Sequence, residues 1–261
     1  MTAPPLESTI DLTGGPVEVL EWPGRPDRAP IVMLHEGLGS ARLWRFLPAA
    51  LAAGTGRRTI AWSRHGYGWS APAPLPRRPS YMHDEAKKVL PEFLAAIEIK
   101  EPVLIGHSDG ASIALIHAGA GHPVESIVAI APHAFVEDVT IAGIEEARLR
   151  FTTSDLPSKM AKHHTDAEAT FRGWNDIWLS TEFRDWSIED HLSGVRCPLL
   201  LIQAADDPYG TIDQLNRIEA GVAGPVQRLN LEEGGHSPHL MHSEEVVKAA
   251  IEFLASPPRS K

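Results

Sequence analysis

Short apolar runs alternate with longer amphipathic stretches along most of the chain. Six runs rich in β-branched and aliphatic residues, each ending in a polar loop, predict buried strands. They lie at 30–37, 58–66, 102–110, 126–132, 198–207 and 226–236. Strands that are apolar at consecutive positions and separated by helical stretches are typical of a parallel sheet with helices on both faces. The pattern therefore predicts an α/β fold with a mostly parallel, twisted sheet.

Other segments complete this sheet and its helical layers. Residues 17–22 (VEVLEW), followed by a turn rich in Pro, Gly and Arg, predict an antiparallel edge hairpin that leads into the sheet. Apolar residues recur three or four positions apart in 81–98, and the same holds for 243–254. This spacing predicts two amphipathic helices.

The alternation stops after Pro132. Residues 133–195 contain helical pieces and the tryptophans Trp174, Trp178 and Trp186, but no strand-like run before Leu192. We expect this segment to be a helical cap, or lid, inserted between two core strands. Residues 1–132 and 196–261 are then expected to form the α/β core.

Charge narrows the classes of partner. The 261 residues carry 24 Lys/Arg and 34 Asp/Glu, a formal net charge of −10. Proteins that neutralise nucleic-acid phosphates or coat anionic lipid need clustered basic residues, so we expect neither partner and predict a small-molecule substrate. The acidity is concentrated in 133–195, where 12 Asp/Glu and 6 Lys/Arg give a net charge of −6.

Cysteine usage and the first residues suggest a compartment. The single cysteine, Cys197, cannot form an internal disulfide and lies at the start of an apolar run, which favours a packed side chain. No basic and apolar leader precedes the first strand, and no apolar run approaches 18 residues. A reducing cytoplasm is the expected location, and a homo-oligomer stays possible because nothing in the sequence decides the oligomeric state.

The segment Gly106-His107-Ser108-Asp109-Gly110 joins a predicted strand to a predicted helix. A sharp strand-to-helix turn strains the backbone of its central residue, and flanking glycines leave room for that turn. A G-x-S-x-G segment is weak evidence alone, but here its context matches a nucleophile elbow. We therefore predict Ser108 as a catalytic nucleophile.

A serine hydroxyl needs a base to take its proton and an acid to orient that base. His236 follows the last predicted strand, and Asp207 follows the strand before it. The order Ser108, Asp207, His236 is the order expected for a nucleophile on such an elbow. Asp206 competes with Asp207; the turn residues that follow favour Asp207, and Asp206 could instead cap that turn.

With these motifs, the chain resembles the α/β-hydrolase superfamily from about residue 17 to 254 outside the insertion. MLHEGLGS (33–40) is similar to the oxyanion loop of that family, and SRHGYGWS (63–70) to its G-x-G-x-S loop. The resemblance implies that the backbone N–H groups of Asp109 and Gly37 form the oxyanion hole. The second donor stays open between Gly37 and Leu38.

The chain departs from the family pattern at Glu36, which replaces the glycine that usually follows the loop histidine. A carboxylate aimed at a developing oxyanion would repel it, so we expect Glu36 to turn away or to join a polar network with His35 or Arg64. His35 is expected to hold the loop, and His107 to pack beneath the nucleophile.

The resemblance also indicates the substrate pocket. A cap in this superfamily lies over the nucleophile and shapes the pocket, which makes aromatic residues of the insertion candidate walls. The predicted pocket residues are Glu36, Leu38, Phe135, Trp174 and Trp178, with Phe183 and Trp186 as further candidates. No compact His and carboxylate motif or phosphate-binding loop is present, so we predict neither a metal nor a cofactor.

These features predict a serine hydrolase that cleaves a small or medium carboxylic ester through an acyl-enzyme. The same residues could serve a carbon–carbon hydrolase of the meta-cleavage type, a thioesterase, a lactonase or a perhydrolase. A ligand-binding receptor on the same fold is the alternative from a different class, because a fold alone does not specify a function.

Overall fold

A computed structural model describes residues 4–256 of the chain. Eight strands form one sheet in the order β1-β2-β4-β3-β5-β6-β7-β8. The strands are β1 (Leu6–Leu12), β2 (Gly15–Trp22), β3 (Ile31–Leu34), β4 (Thr59–Trp62), β5 (Val103–His107), β6 (Ser126–Ile130), β7 (Leu199–Ala204) and β8 (Val226–Leu231). The strands from β4 to β8 pair in parallel, which confirms the predicted α/β class.

The antiparallel edge differs from the prediction. The strand at 15–22 is not the edge: it pairs with β1 on one side and with β4 on the other. The edge is β1, which the sequence reading missed because six of its seven side chains lie at least partly in solvent. Its alternation of polar and apolar residues therefore gives little hydrophobic signal.

Helices cover both faces of the sheet. The helices are α1 (Leu47–Thr55), α2 (Tyr81–Asp84), α3 (Leu90–Ala96), α4 (Asp109–Gly119), α5 (Asp138–Thr153), α6 (Leu156–Met160), α7 (Ala167–Trp178), α8 (Glu189–Leu192), α9 (Asp213–Gly221), α10 (Pro238–Met241) and α11 (Ser243–Ala255). Alternate residues of β3 point into two different cores: Val32 packs in the core that contains α4, and Met33 packs in the core that contains α1 and α11. This alternation explains why the central strands are apolar at every position.

The predicted helix at 81–98 forms with a local irregularity. A π-helical stretch, Glu85–Val89, connects α2 to α3. Pro91 has no N–H to donate to the preceding turn, a common cause of a local change in helix geometry. The apolar stripe faces the core as expected, with Ala86, Leu90 and Phe93 almost fully buried.

Between β6 and β7 lie four of the helices, α5 to α8, in the segment 133–195. This segment is held on the loop after β4: Thr165 donates its backbone N–H to the carbonyl of Gly68 at 2.9 Å, and the Thr170 hydroxyl donates to the carbonyl of Gly66 at 2.7 Å. No helix within residues 4–256 is both long and apolar enough to cross a bilayer.

Candidate active site

The turn after β5 has the geometry of a nucleophile elbow. Ser108 has φ 52° and ψ −118°, a strained conformation for a residue with a side chain. A Cβ on Gly110 would lie 1.9 Å from the carbonyl oxygen of Leu34, and one on Gly106 would lie 2.4 Å from the Gly110 carbonyl oxygen. The two glycines are therefore required by close backbone approach, and they allow the turn that carries Ser108.

Asp207 and His236 form a close pair. The Nδ1 atom of His236 lies 2.9 Å from Oδ2 and 3.0 Å from Oδ1 of Asp207. Because a carboxylate only accepts, Nδ1 carries the proton and Nε2 is left free to accept one. Burial by itself raises the pKa of Asp207, but the charge and hydrogen bond of His236 and the N–H of Tyr209 outweigh it and lower that pKa.

Asp206 has a different contact. Its Oδ1 accepts the backbone N–H of Gly235 at 2.8 Å, and its side chain is exposed. Of the two candidate acids, Asp207 is thus the one that contacts the imidazole. Asp206 instead anchors the loop that carries His236.

One cavity at the carboxyl ends of the parallel strands brings Ser108 and His236 together with most of the predicted pocket residues. It is lined by Glu36, Gly37, Leu38, Ser108, His133, Thr140, Ile144, Trp174, Trp178, Tyr209 and His236. Ser108 and His236 both face it, although the Ser108 hydroxyl makes no hydrogen bond to any residue of 4–256. Catalytic contacts are often loose before substrate binds, so the missing hydrogen bond does not argue against either residue.

Four of the five predicted pocket residues line this cavity, and one does not. The ring of Phe135 lies 4.2 Å from the guanidinium of Arg217, away from the cavity. Phe183 and Trp186 stack on each other behind the wall residue Trp178. They support the wall and do not form it.

The cavity also contains residues that the sequence analysis did not single out: His133, Thr140, Ile144 and Tyr209. His133 and Tyr209 follow β6 and β7, where ligands of open α/β sheets bind. Their positions directly after these strands are the sequence signal that could have identified them as cavity residues. Thr140 and Ile144 lie on α5, and only the packing of that helix brings them to the site.

The backbone amides of Gly37, Leu38 and Asp109 donate to no acceptor in the described part of the chain, so each is available to an oxyanion. Trp174 packs directly on Gly37, where a Cβ would lie 2.2 Å from the indole ring. His164 holds the same loop: its Nε2 donates to the Leu38 carbonyl at 3.0 Å, and its Nδ1 accepts the N–H of Gly68. The choice between Gly37 and Leu38 stays open.

Glu36 turns to His107 and not to the side chains expected for it. Its Oε2 lies 3.4 Å from Nδ1 of His107, whose Nε2 donates to the carbonyl of His236 at 2.6 Å. A carboxylate and an unprotonated ring nitrogen both accept, so this contact is attractive only when a proton lies between them. Burial raises the pKa of Glu36, but His107 and His35 together outweigh it and hold that pKa well below its usual value.

A hydrogen-bonded chain connects the segment 133–195 to the elbow. The indole N–H of Trp178 donates to the Tyr81 hydroxyl at 3.0 Å, and that hydroxyl donates to Oδ2 of Asp109 at 2.7 Å. Asp109 is fully buried and begins α4. These two hydrogen bonds therefore fix the cavity wall at Trp178 relative to Asp109, the residue that follows Ser108.

Several histidines are buried in neutral form, which predicts an early loss of stability in acid. Burial, aided by neighbouring imidazoles, lowers the pKa of His133 and of His239 to about 3. Burial lowers the pKa of His117 to about 4 and that of His35 well below its usual value. Unfolded histidine titrates near 6.5, so below that pH the unfolded chain binds protons that the native state does not.

For each such histidine, the free energy of unfolding should therefore fall by about 1 kcal/mol when the pH is lowered from 6.5 to 5.5. Urea unfolding at pH 7.5, 6.5 and 5.5 measures this loss. His117→Gln should flatten the dependence of the unfolding free energy on pH. A free energy of unfolding that stays constant down to pH 5.5 would contradict the prediction.

Metal ligands are not assembled here. Within residues 4–256, no three His, Cys, Asp or Glu side chains form a group that could hold a metal ion.

Known proteins of one family are similar to this chain. The model of the alpha/beta hydrolase family matches residues 31–249. A human relative, "Serine hydrolase BPHL", is 29% identical over 203 residues, which cover 75% of this chain and 68% of the relative.

Two solved structures share the fold. An esterase from Exiguobacterium antarcticum has a TM-score of 0.75 at 18% identity and covers 96% of this chain and 100% of its own. A meta-cleavage product hydrolase from Pseudomonas fluorescens has a TM-score of 0.74 at 17% identity, with coverages of 96% and 98%.

Proposed function

Because this chain belongs to the alpha/beta hydrolase family, we propose that its cavity is the active site of a serine hydrolase that cleaves small or medium carboxylic esters. The observation that carries the proposal is His236, which lies 2.9 Å from Asp207 and lines one cavity with the strained Ser108. A base oriented by an acid beside a serine on an elbow is the arrangement that activates a hydroxyl.

The proposed reaction has two halves. His236 Nε2 takes the proton of Ser108 as its oxygen attacks the ester carbonyl, and the imidazolium then returns that proton to the leaving alcohol. Asp207 keeps Nδ1 protonated and stabilises the charged ring. Water, activated by the same imidazole, releases the acid from the acyl-enzyme.

Charge develops on the carbonyl oxygen during both halves. The N–H of Asp109 and that of Gly37 or Leu38 are the proposed donors to this oxyanion, since each lacks another acceptor within residues 4–256. The Glu36 carboxylate is turned toward His107, with Oε2 3.4 Å from Nδ1 of that ring.

Residues 133–195 are proposed to act as the cap of this site. Trp174 and Trp178 line the cavity from α7, and α5 contributes Thr140 and Ile144. With these walls the cavity is mostly apolar, which suits the acyl or alcohol part of a neutral ester.

A carbon–carbon hydrolase is the second candidate. It is supported by the similarity in fold to the meta-cleavage product hydrolase and by the same set of nucleophile, base and acid. At 17% identity this similarity concerns the fold alone, so the reaction has to be decided by assay.

A substrate panel tests the proposal on the full chain. Wild-type protein should react with a fluorophosphonate and hydrolyse short-chain p-nitrophenyl esters, with kcat/KM at least tenfold above that for vinylogous dienol ketones. Thioesters and lactones of similar size complete the panel. Rapid cleavage of the ketones with negligible ester turnover would favour the carbon–carbon hydrolase over the esterase. A folded protein that is neither labelled nor active on any substrate would favour a ligand-binding receptor.

A further inference from the structure

His133 is placed beside the proposed nucleophile by its backbone. It follows β6, and its carbonyl accepts the Ser112 hydroxyl at 2.7 Å while its N–H donates to the same oxygen at 3.1 Å. Ser112 lies on α4, one turn after Ser108. The helix that begins at the elbow therefore also fixes the position of His133.

The imidazole of His133 packs in the cavity wall. Its ring meets the Trp178 ring edge-on, with centroids 5.2 Å apart, and lies 5.8 Å from the ring of His236. Only 3% of the residue is exposed, and it lines the cavity. The ring is thus rigidly held close to the reacting atoms.

Neither ring nitrogen of His133 has a hydrogen-bond partner among residues 4–256. Nδ1 is fully buried on the side of Gly210, whereas Nε2 keeps access to the cavity. Nδ1 cannot reach the cavity, so Nε2 is the ring nitrogen that a ligand can contact. With no partner among residues 4–256, Nε2 is free to bond a polar group that the substrate brings.

The charge state of the ring restricts that partner. Burial, with the charges of His236 and His107, lowers the pKa of His133 to about 3, although Asp207 opposes this shift. The ring is neutral near pH 7, so Nε2 offers one donor or one acceptor, according to the tautomer. Such a ring suits a hydroxyl or a carbonyl; a carboxylate or phosphate would call for a cation.

Several side chains of the cavity wall are apolar or already paired. Leu38 and Ile144 are apolar, the Trp178 indole N–H donates to Tyr81, and the Thr140 hydroxyl donates to the carbonyl of Tyr209. The Glu36 carboxylate lies 3.4 Å from Nδ1 of His107. A neutral polar group of the substrate that lies near the scissile bond can therefore contact Nε2 of His133.

We propose that His133 is a specificity-determining residue that binds a hydroxyl or carbonyl group carried by the substrate close to the scissile ester. The inference deepens the proposed function and rests on it. It narrows the substrate class to hydroxy- or keto-substituted esters.

Matched ester pairs test this assignment. The first pair, p-nitrophenyl 3-hydroxybutyrate and p-nitrophenyl butyrate, differs in the acyl half; the second, 2-hydroxyethyl butyrate and propyl butyrate, differs in the alcohol half. Wild type should favour the hydroxylated member of at least one pair by tenfold or more in kcat/KM. In His133→Phe, which keeps an aromatic ring against Trp178, this ratio should fall to about one.

Two further variants separate recognition from packing. His133→Gln keeps a donor and an acceptor and should restore part of the preference. His122→Phe makes the same substitution outside the cavity and should keep the wild-type ratio. A wild-type ratio near one in both pairs, or a preference that persists in His133→Phe, would overturn the assignment.

A binding measurement distinguishes this inference from the proposed reaction. Ser108→Ala and Ser108→Ala/His133→Phe are titrated with 3-hydroxybutyramide and butyramide, with the fluorescence of the cavity tryptophans as readout. Tighter binding of the hydroxylated amide, lost in the double variant, supports the assignment even if wild type hydrolyses no ester. Equal affinities, or binding of neither amide, overturn it whatever the outcome of the ester assays.

Discussion

Ser108→Ala is expected to lower kcat for ester hydrolysis by about 10⁴-fold or more and to abolish labelling by fluorophosphonates. Removal of a serine nucleophile leaves only the catalysis provided by binding and by the oxyanion donors. Alanine keeps a Cβ at the strained φ of 52°, so the elbow should be preserved. The measurement is kcat on a p-nitrophenyl ester together with mass spectrometry of the labelled protein.

The neighbouring hydroxyl of Ser112 provides the matched control. Ser112 lies one turn further along α4 and supports His133 through its hydroxyl. Ser112→Ala should still be labelled at Ser108. If Ser108→Ala keeps more than a tenth of the wild-type kcat while its thermal melting is unchanged, Ser108 is not the nucleophile.

Asp207→Asn is expected to lower kcat by about 10⁴-fold without unfolding the protein. An amide at this position can donate to Nδ1 of His236 and so favour the tautomer that leaves no acceptor at Nε2. It also removes the negative charge that stabilises the imidazolium. The N–H of Tyr209 and the amide of Gln203, which now contact the carboxylate, help to keep the side chain in place.

Asp206→Asn is the matched comparison. Its amide oxygen can still accept the N–H of Gly235, so kcat should change by about tenfold at most. Steady-state kinetics of both variants on one ester decides between them. A large loss of kcat in Asp206→Asn alone would identify Asp206 as the acid that orients His236.

The elbow and the strands could be predicted because their signals are local. Gly106 and Gly110 flank Ser108 within five residues, and the structure shows the same close approaches that make glycine necessary there. The central strands are recognisable because both faces of the sheet are covered, which makes every position apolar. The edge strand β1 lacks such cover, and the sequence reading missed it.

The partners of individual side chains were harder to predict. The sequence suggests that Glu36 either turns away from the oxyanion site or joins a network with His35 or Arg64, and in the structure its carboxylate faces His107. His35, Arg64 and His107 all lie at the ends of predicted strands. Only the path of the folded backbone decides which of them the Glu36 side chain reaches. Phe135 shows the same limit: a residue of the insertion lies outside the cavity because it packs on Arg217.

By itself, the sequence determined the α/β class, the elbow that carries Ser108 and the order of the candidate acid and base, since these depend on periodicity and on short motifs. Tertiary structure alone decided the wall of the cavity and the polar contacts around it. The bonds from His107 to His236, from Trp178 to Tyr81 and from Gly68 to His164 span 129, 97 and 96 residues. No local pattern encodes such contacts, because they arise only when separate strands and helices end at the same edge of the sheet.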